Sequence, residues 1–193
     1  MILGGGPIGC EMGLAFGRLG IAVTLVELAD RLLPREEPEA SAVVAAALRR
    51  VGVTVRTGLA ATGVERHANG EVVVTRGEPS GIPSPAATVT GSEVLVALGR
   101  VPAGRGFGLE EIGVDIGRNG AIAVDDTMAT NVAGIWAVGD VVGRAQFTHA
   151  AGRMGWVATT NALSRTAFAH KVTYNERVLP WATFTSPAVG SIG

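Results

Sequence analysis

The chain opens on a glycine-rich turn between a strand and a helix, and this arrangement limits the folds that it can adopt. Its first 27 residues read MILGGGPIGCEMGLAFGRLGIAVTLVE. Residues 1–3 are predicted to end a strand, and residues 8–19 have the apolar spacing of a helix that Gly20 ends. Residues 21–27 are an apolar run of strand length, typical of a parallel strand that is buried on both faces. The pattern predicts a strand–helix–strand unit.

Gly4, Gly6 and Gly9 fit the pattern G-x-G-x-x-G, which is weak by itself in a chain with 28 glycines. The pattern is informative here because a strand precedes it, a helix follows it, and the second strand ends in an acid, Glu27. Gly4 is expected to permit the tight turn, and Gly6 to leave room for a pyrophosphate. Gly9 is expected to let the helix pack closely on the strand.

The start of the first helix, including Pro7 and Ile8, is predicted to hold the phosphates of a dinucleotide. A helix N-terminus offers free N–H groups and the positive end of the helix dipole to an anion. Glu27 can accept hydrogen bonds from the adenosine ribose hydroxyls and would repel a 2′-phosphate. The sequence therefore predicts a nicotinamide dinucleotide as partner, with NAD favoured over NADP.

The following segments extend this unit into half of a doubly wound α/β sheet. An Ala-rich helix is predicted at residues 37–52 and a third strand at residues 53–58. Asn69 and Gly70 lie between two β-prone segments and predict a hairpin. Residues 76–88 are rich in Pro, Ser and Gly and predict a surface loop.

The second half of the chain has shorter and less regular elements. A further apolar strand is predicted at residues 92–100, and short strands are predicted at residues 121–126 and 134–140. Residues 148–168 are predicted to form a helix, and the tail from residue 177 onward is predicted to be β-rich. No internal repeat is present.

Composition excludes several classes of function. Of the 193 residues, 47% are hydrophobic and 17% are charged, and the formal net charge is −1. The sequence has no basic stripe of the kind that binds nucleic acid, and no apolar run approaches the roughly 18 residues of a membrane span. Neither nucleic acid nor a membrane is therefore expected as a partner. A cytoplasmic location is the default expectation. The single cysteine, Cys10, cannot form an internal disulfide and provides no metal cluster, and it is predicted to be a buried packing residue.

Several ordered motifs resemble those of the flavin-dependent pyridine nucleotide-disulfide oxidoreductases, in the branch of dihydrolipoamide dehydrogenase and mercuric reductase. They cover nearly the whole chain in the order of that family. The motifs are GGGPIGCE (residues 4–11), ALGRVP (97–102), TNVAGIWAVGD (130–140), FTHAA (147–151) and PWATFTSPAVGSIG (180–193).

The resemblance implies an organisation into three parts. Residues 1–100 would be a Rossmann-like NAD(H)-binding domain with a β-hairpin insertion. Residues 101–171 would be the C-terminal half of a split FAD-binding domain, and residues 172–193 would begin an α+β dimerisation domain. The complete protein would then be a homodimer with FAD as a second cofactor.

The resemblance also implies roles for individual residues. Asp140 lies where relatives bind the ribityl chain of FAD, and Gly99 of the ALGRVP motif is a further expected cofactor-binding position. Thr148, His149 and Ala150 match the segment at the flavin pyrimidine, where backbone N–H groups of a helix start would stabilise negative charge. The ring of His149 is therefore expected to be structural.

Glu11 is the one catalytic candidate, because it matches a glutamate that pairs with a lysine beside flavin N5. Three positions depart from the family pattern. Pro7 fills the place of an aromatic gate over the nicotinamide site in some relatives. Ala103 stands where asparagine is usual, and Ala188 stands where glutamate is common.

The complete enzyme is expected to use NADH to reduce FAD, which then reduces a disulfide or another acceptor. In the family a preceding segment carries a second glycine-rich turn, the redox cysteine pair and the flavin-side lysine. None of these motifs is in the sequence, so the FAD site is expected to be incomplete and the chain to be an internal piece of a larger enzyme. Two alternatives remain open: a non-catalytic NAD-binding module, and a flavoprotein such as an NADH oxidase or ferredoxin reductase that lacks the disulfide. The sequence does not identify the electron acceptor.

Overall fold

The computed structural model of the chain describes residues 1–77, 83–164 and 171–193. These residues form two compact units, and each is described by itself. The first unit comprises residues 1–99 and 182–191, and the second comprises residues 100–181 and 192–193.

A four-stranded parallel sheet organises the first unit. The strands are β1 (Ile2–Leu3), β2 (Thr24–Val26), β3 (Thr54–Arg56) and β7 (Leu95–Val96), and the helices that connect the first three are α1 (Pro7–Arg18) and α2 (Pro38–Arg50). The spatial order is β3-β2-β1-β7, so β1 lies between β2, which follows it directly after α1, and β7, which comes much later in the chain. The predicted α/β class and the strand–helix alternation are confirmed. The strands are shorter than predicted, most of all β7, which keeps two of the nine residues expected at 92–100.

Glycines on one face of α1 let that helix lie close to its neighbours. Gly9, Gly13 and Gly17 are all buried, and they recur at the four-residue spacing that places side chains on one helix face. A Cβ atom on Gly13 would lie 3.3 Å from Leu48 Cδ2, and one on Gly17 would lie 2.8 Å from Val51 Cγ2. At Gly13 and Gly17, α1 therefore presents bare backbone to apolar side chains, beside the buried side chains of Cys10 and Leu14.

A separate antiparallel sheet follows β3 in the order β4-β5-β6, formed by β4 (Ala60–Arg66), β5 (Val72–Gly77) and β6 (Pro83–Gly91). The hairpin predicted at Asn69 and Gly70 is confirmed: Gly70 has a φ of +84°, and Asn69 Oδ1 accepts the Glu71 N–H at 3.0 Å. The loop predicted at residues 76–88 is wrong for residues 76–77, which belong to β5, and for residues 83–88, which belong to β6. β6 is an edge strand, and its backbone forms hydrogen bonds with β5. Its first residue is a proline, which edge strands tolerate. Residues 78–82 lie outside the described residues.

The second unit has one long helix, α3 (Thr148–Leu163), and mostly irregular chain before it. The strands predicted at residues 121–126 and 134–140 are wrong, because these segments form isolated bridges, Ile122 with Ile116 and Trp136 with Ala129, and residues 139–140 begin a 3-10 turn. The carboxylate of Asp125 accepts hydrogen bonds from its neighbours in the chain, and this local turn replaces a ladder.

The helix predicted at residues 148–168 begins where expected and ends at Leu163, and residues 165–170 lie outside the described residues. The β-rich tail is confirmed, since β8 (Pro180–Thr183) and β9 (Val189–Ile192) pair in a two-stranded sheet. The core of the second unit lies under α3, with Met128, Met154 and Val157 fully buried. Among the described residues, no helix has the length and apolar character needed to cross a bilayer.

Candidate dinucleotide site

The turn between β1 and α1 is too crowded for side chains at two of its glycines. Gly4 has a φ of +105°, and a Cβ atom there would overlap the backbone carbonyl oxygen of Ala97. A Cβ atom on Gly9 would overlap the carbonyl oxygen of Gly4. Both obstacles are backbone atoms, which cannot rotate away as a side chain could. The strand, the turn and the helix start are therefore in direct backbone contact.

Gly6 differs from its two partners in the motif because it faces open space. Its φ of −73° suits any residue, and nothing lies within 4 Å of a Cβ atom built on it. Gly6 is the N-cap of α1, and its carbonyl accepts the first intrahelical bond, from Cys10 N–H at 3.0 Å. Pro7 has no N–H, so Ile8 and Gly9 carry the helical N–H groups ahead of that bond. With no acidic residue in the first turn, this end of α1 can receive an anion.

Glu27 lies beside this turn, as its position at the end of β2 predicts. Its Oε2 atom accepts the Gly5 N–H at 2.5 Å, and its Oε1 atom accepts the Ala29 N–H at 2.7 Å. The carboxylate is part-buried, and each oxygen keeps a further lone pair for a hydroxyl group. Glu27 is therefore bound to the turn and still has acceptor capacity toward a ribose.

Gly5 is a site residue that the sequence pattern did not single out. Its carbonyl oxygen accepts the Leu33 N–H at 2.8 Å and the thiol of Cys10 at 3.3 Å. Cys10 is fully buried, and burial raises the pKa of its thiol to about 12, with smaller contributions from Glu27 and Glu11. Cys10 is thus a protonated packing residue that also donates to the turn, in agreement with the sequence prediction.

Two further predicted site residues belong to the first unit. Gly99 follows β7 and has a φ of +127°, which favours glycine. The Glu11 carboxylate accepts the backbone N–H of Phe184 through Oε1 at 2.8 Å. Phe184 belongs to the FTSP stretch of the tail, so the sequence gave no signal that would pair it with Glu11.

Asp140 lies in the second unit, in a 3-10 turn at Gly139–Val142. Its Oδ2 atom is 3.2 Å from Nη1 of Arg100, and the two side chains are 50% and 54% exposed. The backbone of the turn is held by the buried Met154 sulfur, which accepts the Gly139 N–H at 3.3 Å. Arg100 was not predicted as a site residue, although it lies inside the ALGRVP motif.

Thr148, His149 and Ala150 form the first turn of α3. The first intrahelical bond runs from Ala151 N–H to Phe147 O at 2.9 Å, so these three N–H groups precede it. No side chain caps this end, and no acidic residue lies in the first turn. His149 Nε2 lies 2.7 Å from the Pro180 carbonyl oxygen, and its ring stacks on Phe147 at a centroid distance of 5.5 Å. The ring is engaged in packing contacts, as expected for a structural histidine.

The structure brings Gly4, Gly6, Pro7, Ile8 and Gly9 together with Glu27 at the turn before α1, whereas Glu11 contacts Phe184 and Gly99 follows β7. In the second unit the Asp140 turn lies against the start of α3, where a Cβ atom on Gly139 would lie 3.3 Å from Ala151 Cβ. Within the described residues, no group of His, Cys, Asp and Glu side chains could hold a metal ion.

The family model described as pyridine nucleotide-disulphide oxidoreductase matches residues 1–155 of the chain. The chain belongs to this family. The match includes the predicted site residues of both units and confirms the resemblance inferred from the motifs.

Named relatives in this oxidoreductase family include a dihydrolipoyl dehydrogenase of Corynebacterium glutamicum, 39% identical over 194 residues, and a mercuric reductase of Streptomyces lividans, 38% identical over 193 residues. Each comparison covers 100% of this chain, but 40% and 39% of the relative. The structure is similar to that of RclA, an HOCl-induced flavoprotein disulfide reductase from Escherichia coli, with a TM-score of 0.86 and 30% identity, over 100% of this chain and 41% of RclA. The chain therefore spans about 40% of the length of these proteins.

Proposed function

We propose that the first unit binds NAD(H) at the turn between β1 and α1. The observation that carries this proposal is the open space at Gly6, at the free end of α1 and next to Gly5, whose N–H donates to the Glu27 carboxylate. A pyrophosphate in that space would accept hydrogen bonds from the N–H groups of Ile8 and Gly9 and would interact with the helix dipole.

Glu27 supports a preference for NAD(H) over NADP(H). Each carboxylate oxygen uses one lone pair on a backbone N–H and can accept a ribose hydroxyl with the other. A 2′-phosphate would instead place negative charge against a part-buried carboxylate. Part-burial makes that repulsion stronger than it would be in bulk water.

We further propose that the chain supplies part of an FAD-dependent oxidoreductase in which NADH reduces FAD and FAD reduces a disulfide or a related acceptor. The second unit has groups that fit a flavin: the half-exposed Asp140 carboxylate can accept ribityl hydroxyls, and the start of α3 offers N–H groups to the pyrimidine edge. FAD, when bound, would supply the two-electron step between nicotinamide and acceptor. Glu11 is proposed to lie on the flavin side, where its link to Phe184 would fix its orientation.

Family membership supports a proposed division of this chain into three parts. Residues 1–100 would be the NAD(H) domain, residues 101–171 the second half of the FAD domain, and residues 172–193 the start of a dimerisation domain. The two alternatives are an NAD-binding module without catalysis and a flavoprotein that lacks a redox disulfide. The test supplies a homologous segment with a cysteine pair as a separate chain. This segment should restore NADH-dependent disulfide reduction if this chain is part of a disulfide reductase, but not under either alternative.

The dinucleotide site is tested by titrating NADH and NADPH into the purified chain and into Gly6→Ala. We expect NADH to bind about tenfold or more tightly than NADPH, and Gly6→Ala to weaken both because a methyl group occupies the pyrophosphate space. The free energy of unfolding of Gly6→Ala should fall by less than about 1 kcal/mol, because nothing lies within 4 Å of the new methyl and the change costs only the N-cap preference for glycine over alanine. Tighter NADPH binding, or unchanged affinities in Gly6→Ala, would contradict the proposal.

A further inference from the structure

We propose that Glu27 is also a positioning residue, which fixes the glycine-rich turn in the conformation that receives the pyrophosphate. This inference rests on the proposed NAD(H) site and gives the same carboxylate a second task. The adenosine ribose and the turn would then share one acceptor group. Ribose recognition and pyrophosphate recognition would be coupled through Glu27.

The turn needs such support because three glycines follow one another at residues 4–6. Glycine loses more conformational freedom on folding than any other residue, so an unsupported run of three would sample many conformations. Gly4 and Gly9 are confined by backbone contacts, but Gly6 faces open space. The Gly6 carbonyl is held by the Cys10 N–H, and the peptide groups of Gly5 supply further hydrogen bonds that fix the part of the turn ahead of it.

Hydrogen bonds hold Gly5 on both sides. Its N–H donates to Glu27 Oε2, and its carbonyl accepts from Leu33 N–H and from the Cys10 thiol. The Gly5 N–H bond ends on a carboxylate, and bonds to an ionised acceptor are stronger than bonds between neutral groups. A second donor, Ala29 N–H, holds the other oxygen of Glu27 in place.

The loop after β2 is shaped to this residue. A Cβ atom on Gly5 would lie 2.6 Å from Leu32 Cδ2 and 3.0 Å from both Glu27 Cβ and Glu27 Oε2. Leu33 takes a φ of +47°, which is rare for a side chain of its size, and it is fully buried while its N–H reaches the Gly5 carbonyl. The segment from Glu27 to Leu33 therefore packs closely around Gly5. Within this segment, the Glu27 carboxylate is the charged group that contacts Gly5.

The inference predicts that Glu27 matters even for a ligand without ribose hydroxyls. The experiment titrates ADP and 2′,3′-dideoxy-ADP into the full chain and into Glu27→Gln and Glu27→Ala. Both variants have lost the charge, but glutamine keeps an oxygen that can accept the Gly5 N–H. We expect Glu27→Ala to bind dideoxy-ADP about tenfold more weakly than Glu27→Gln, which corresponds to the loss of one hydrogen bond. Equal affinities of the two variants for dideoxy-ADP would overturn the inference, because Glu27 would then act through the ribose alone.

A readout without nucleotide separates this inference from the proposed function. Amide hydrogen exchange at Gly5, measured by NMR on the free chain, should be slow in the wild type, faster in Glu27→Ala and intermediate in Glu27→Gln. Glu39→Ala, at an exposed glutamate of α2, is the matched control and should leave Gly5 exchange unchanged. Wild-type chain that does not bind ADP refutes the NAD(H) site. Chain that binds ADP with the same Gly5 exchange in all variants refutes the positioning role.

Discussion

The glycine-rich turn at residues 4–9 and the turn at residues 139–143 are both short, glycine-containing turns at predicted cofactor sites, but they are held in different ways. In the first, the Gly5 peptide groups bond to Glu27, Leu33 and Cys10, two of which are fully buried. In the second, the Asp140 carboxylate pairs with Arg100, and both side chains are about half exposed.

This difference bears on how each site meets its ligand. Contacts between buried groups are maintained without a ligand, so the first turn should keep its shape in the free chain. An ion pair between exposed side chains contributes about 0–1 kcal/mol and competes with water. The Asp140 carboxylate can therefore leave Arg100 for a sugar hydroxyl at little cost. The first site is preorganised, and the second is adjustable.

The strongest test of the first turn is Gly9→Ala. The new methyl would overlap the Gly4 carbonyl oxygen, and neither backbone segment can move without shifting β1 or α1. We expect the free energy of unfolding in urea to fall by about 3 kcal/mol or more. Gly152→Ala in α3 is the control, because nothing lies within 4 Å there and alanine favours a helix, so stability should rise by up to about 1 kcal/mol. A Gly9→Ala variant as stable as the wild type would show that the turn is not rigid.

Glu27→Arg should have a smaller effect than Gly9→Ala, and the effect should be on the preference between NADH and NADPH. Removal of a close like-charge contact of about 1–3 kcal/mol shifts the ratio of NADH to NADPH affinity by roughly 5–150-fold toward NADPH. Arginine cannot accept the N–H groups of Gly5 and Ala29, so NADH affinity should fall by more than NADPH affinity rises. Dissociation constants for both nucleotides measure this, and an unchanged ratio would contradict the assigned role of Glu27.

The buried thiol beneath the first turn predicts a dependence of stability on alkaline pH. The pKa of Cys10 is about 12 in the folded chain against 9.0 for an ordinary thiol. Unfolded chains therefore release this proton at lower pH, and stability should fall as pH rises from 9 toward 12, by about 1.4 kcal/mol per unit. Urea unfolding between pH 8 and 10.5 would show the slope, and Cys10→Ser should reduce it. Equal slopes in both proteins would mean that the thiol is not desolvated.

The smallest effects are expected at the second turn. Arg100→Ala and Asp140→Asn should each change the free energy of unfolding by less than about 1 kcal/mol, as for an exposed ion pair. Neither residue belongs to the proposed dinucleotide site, so NADH affinity should stay at the wild-type value. Thermal unfolding and NADH titration of the two variants provide the measurement. A loss well above this range would show that the second turn is as firmly built as the first.

The parts predicted correctly from sequence are those with local causes. The strand–helix–strand unit accounts for three of them: the periodicity of residues 8–19, the glycine spacing and the position of Glu27 at the end of a strand. The contacts of Gly5 and Arg100 were missed because their partners, Leu33 and Asp140, are distant in sequence or carry no pattern.

The errors in secondary structure have similar physical causes. Residues 121–126 have the composition of a strand, but the Asp125 carboxylate binds its own neighbours and turns the chain. Residues 83–88 have the composition of a loop, but antiparallel pairing with β5 overrides it. In both cases a hydrogen-bonding partner that composition does not reveal determined the outcome.

The bare backbone of α1 at Gly13 and Gly17 has a consequence for how this chain can vary. Because glycine has no side chain, any substitution at Gly13 adds volume to the packed contact with α2. The nearest atom to a new Cβ there is Leu48 Cδ2 at 3.3 Å. A single alanine there requires Leu48 Cδ2 to move by a few tenths of an ångström, whereas alanine at position 13 together with valine at position 48 keeps the total volume. At Gly17 the carbonyl oxygen of Val51 lies 3.1 Å from a new Cβ. Because this oxygen is a backbone atom, a substitution at position 51 does not remove it. A library that randomises positions 13 and 48 together should therefore recover compensated pairs, and one that randomises positions 17 and 51 should return glycine.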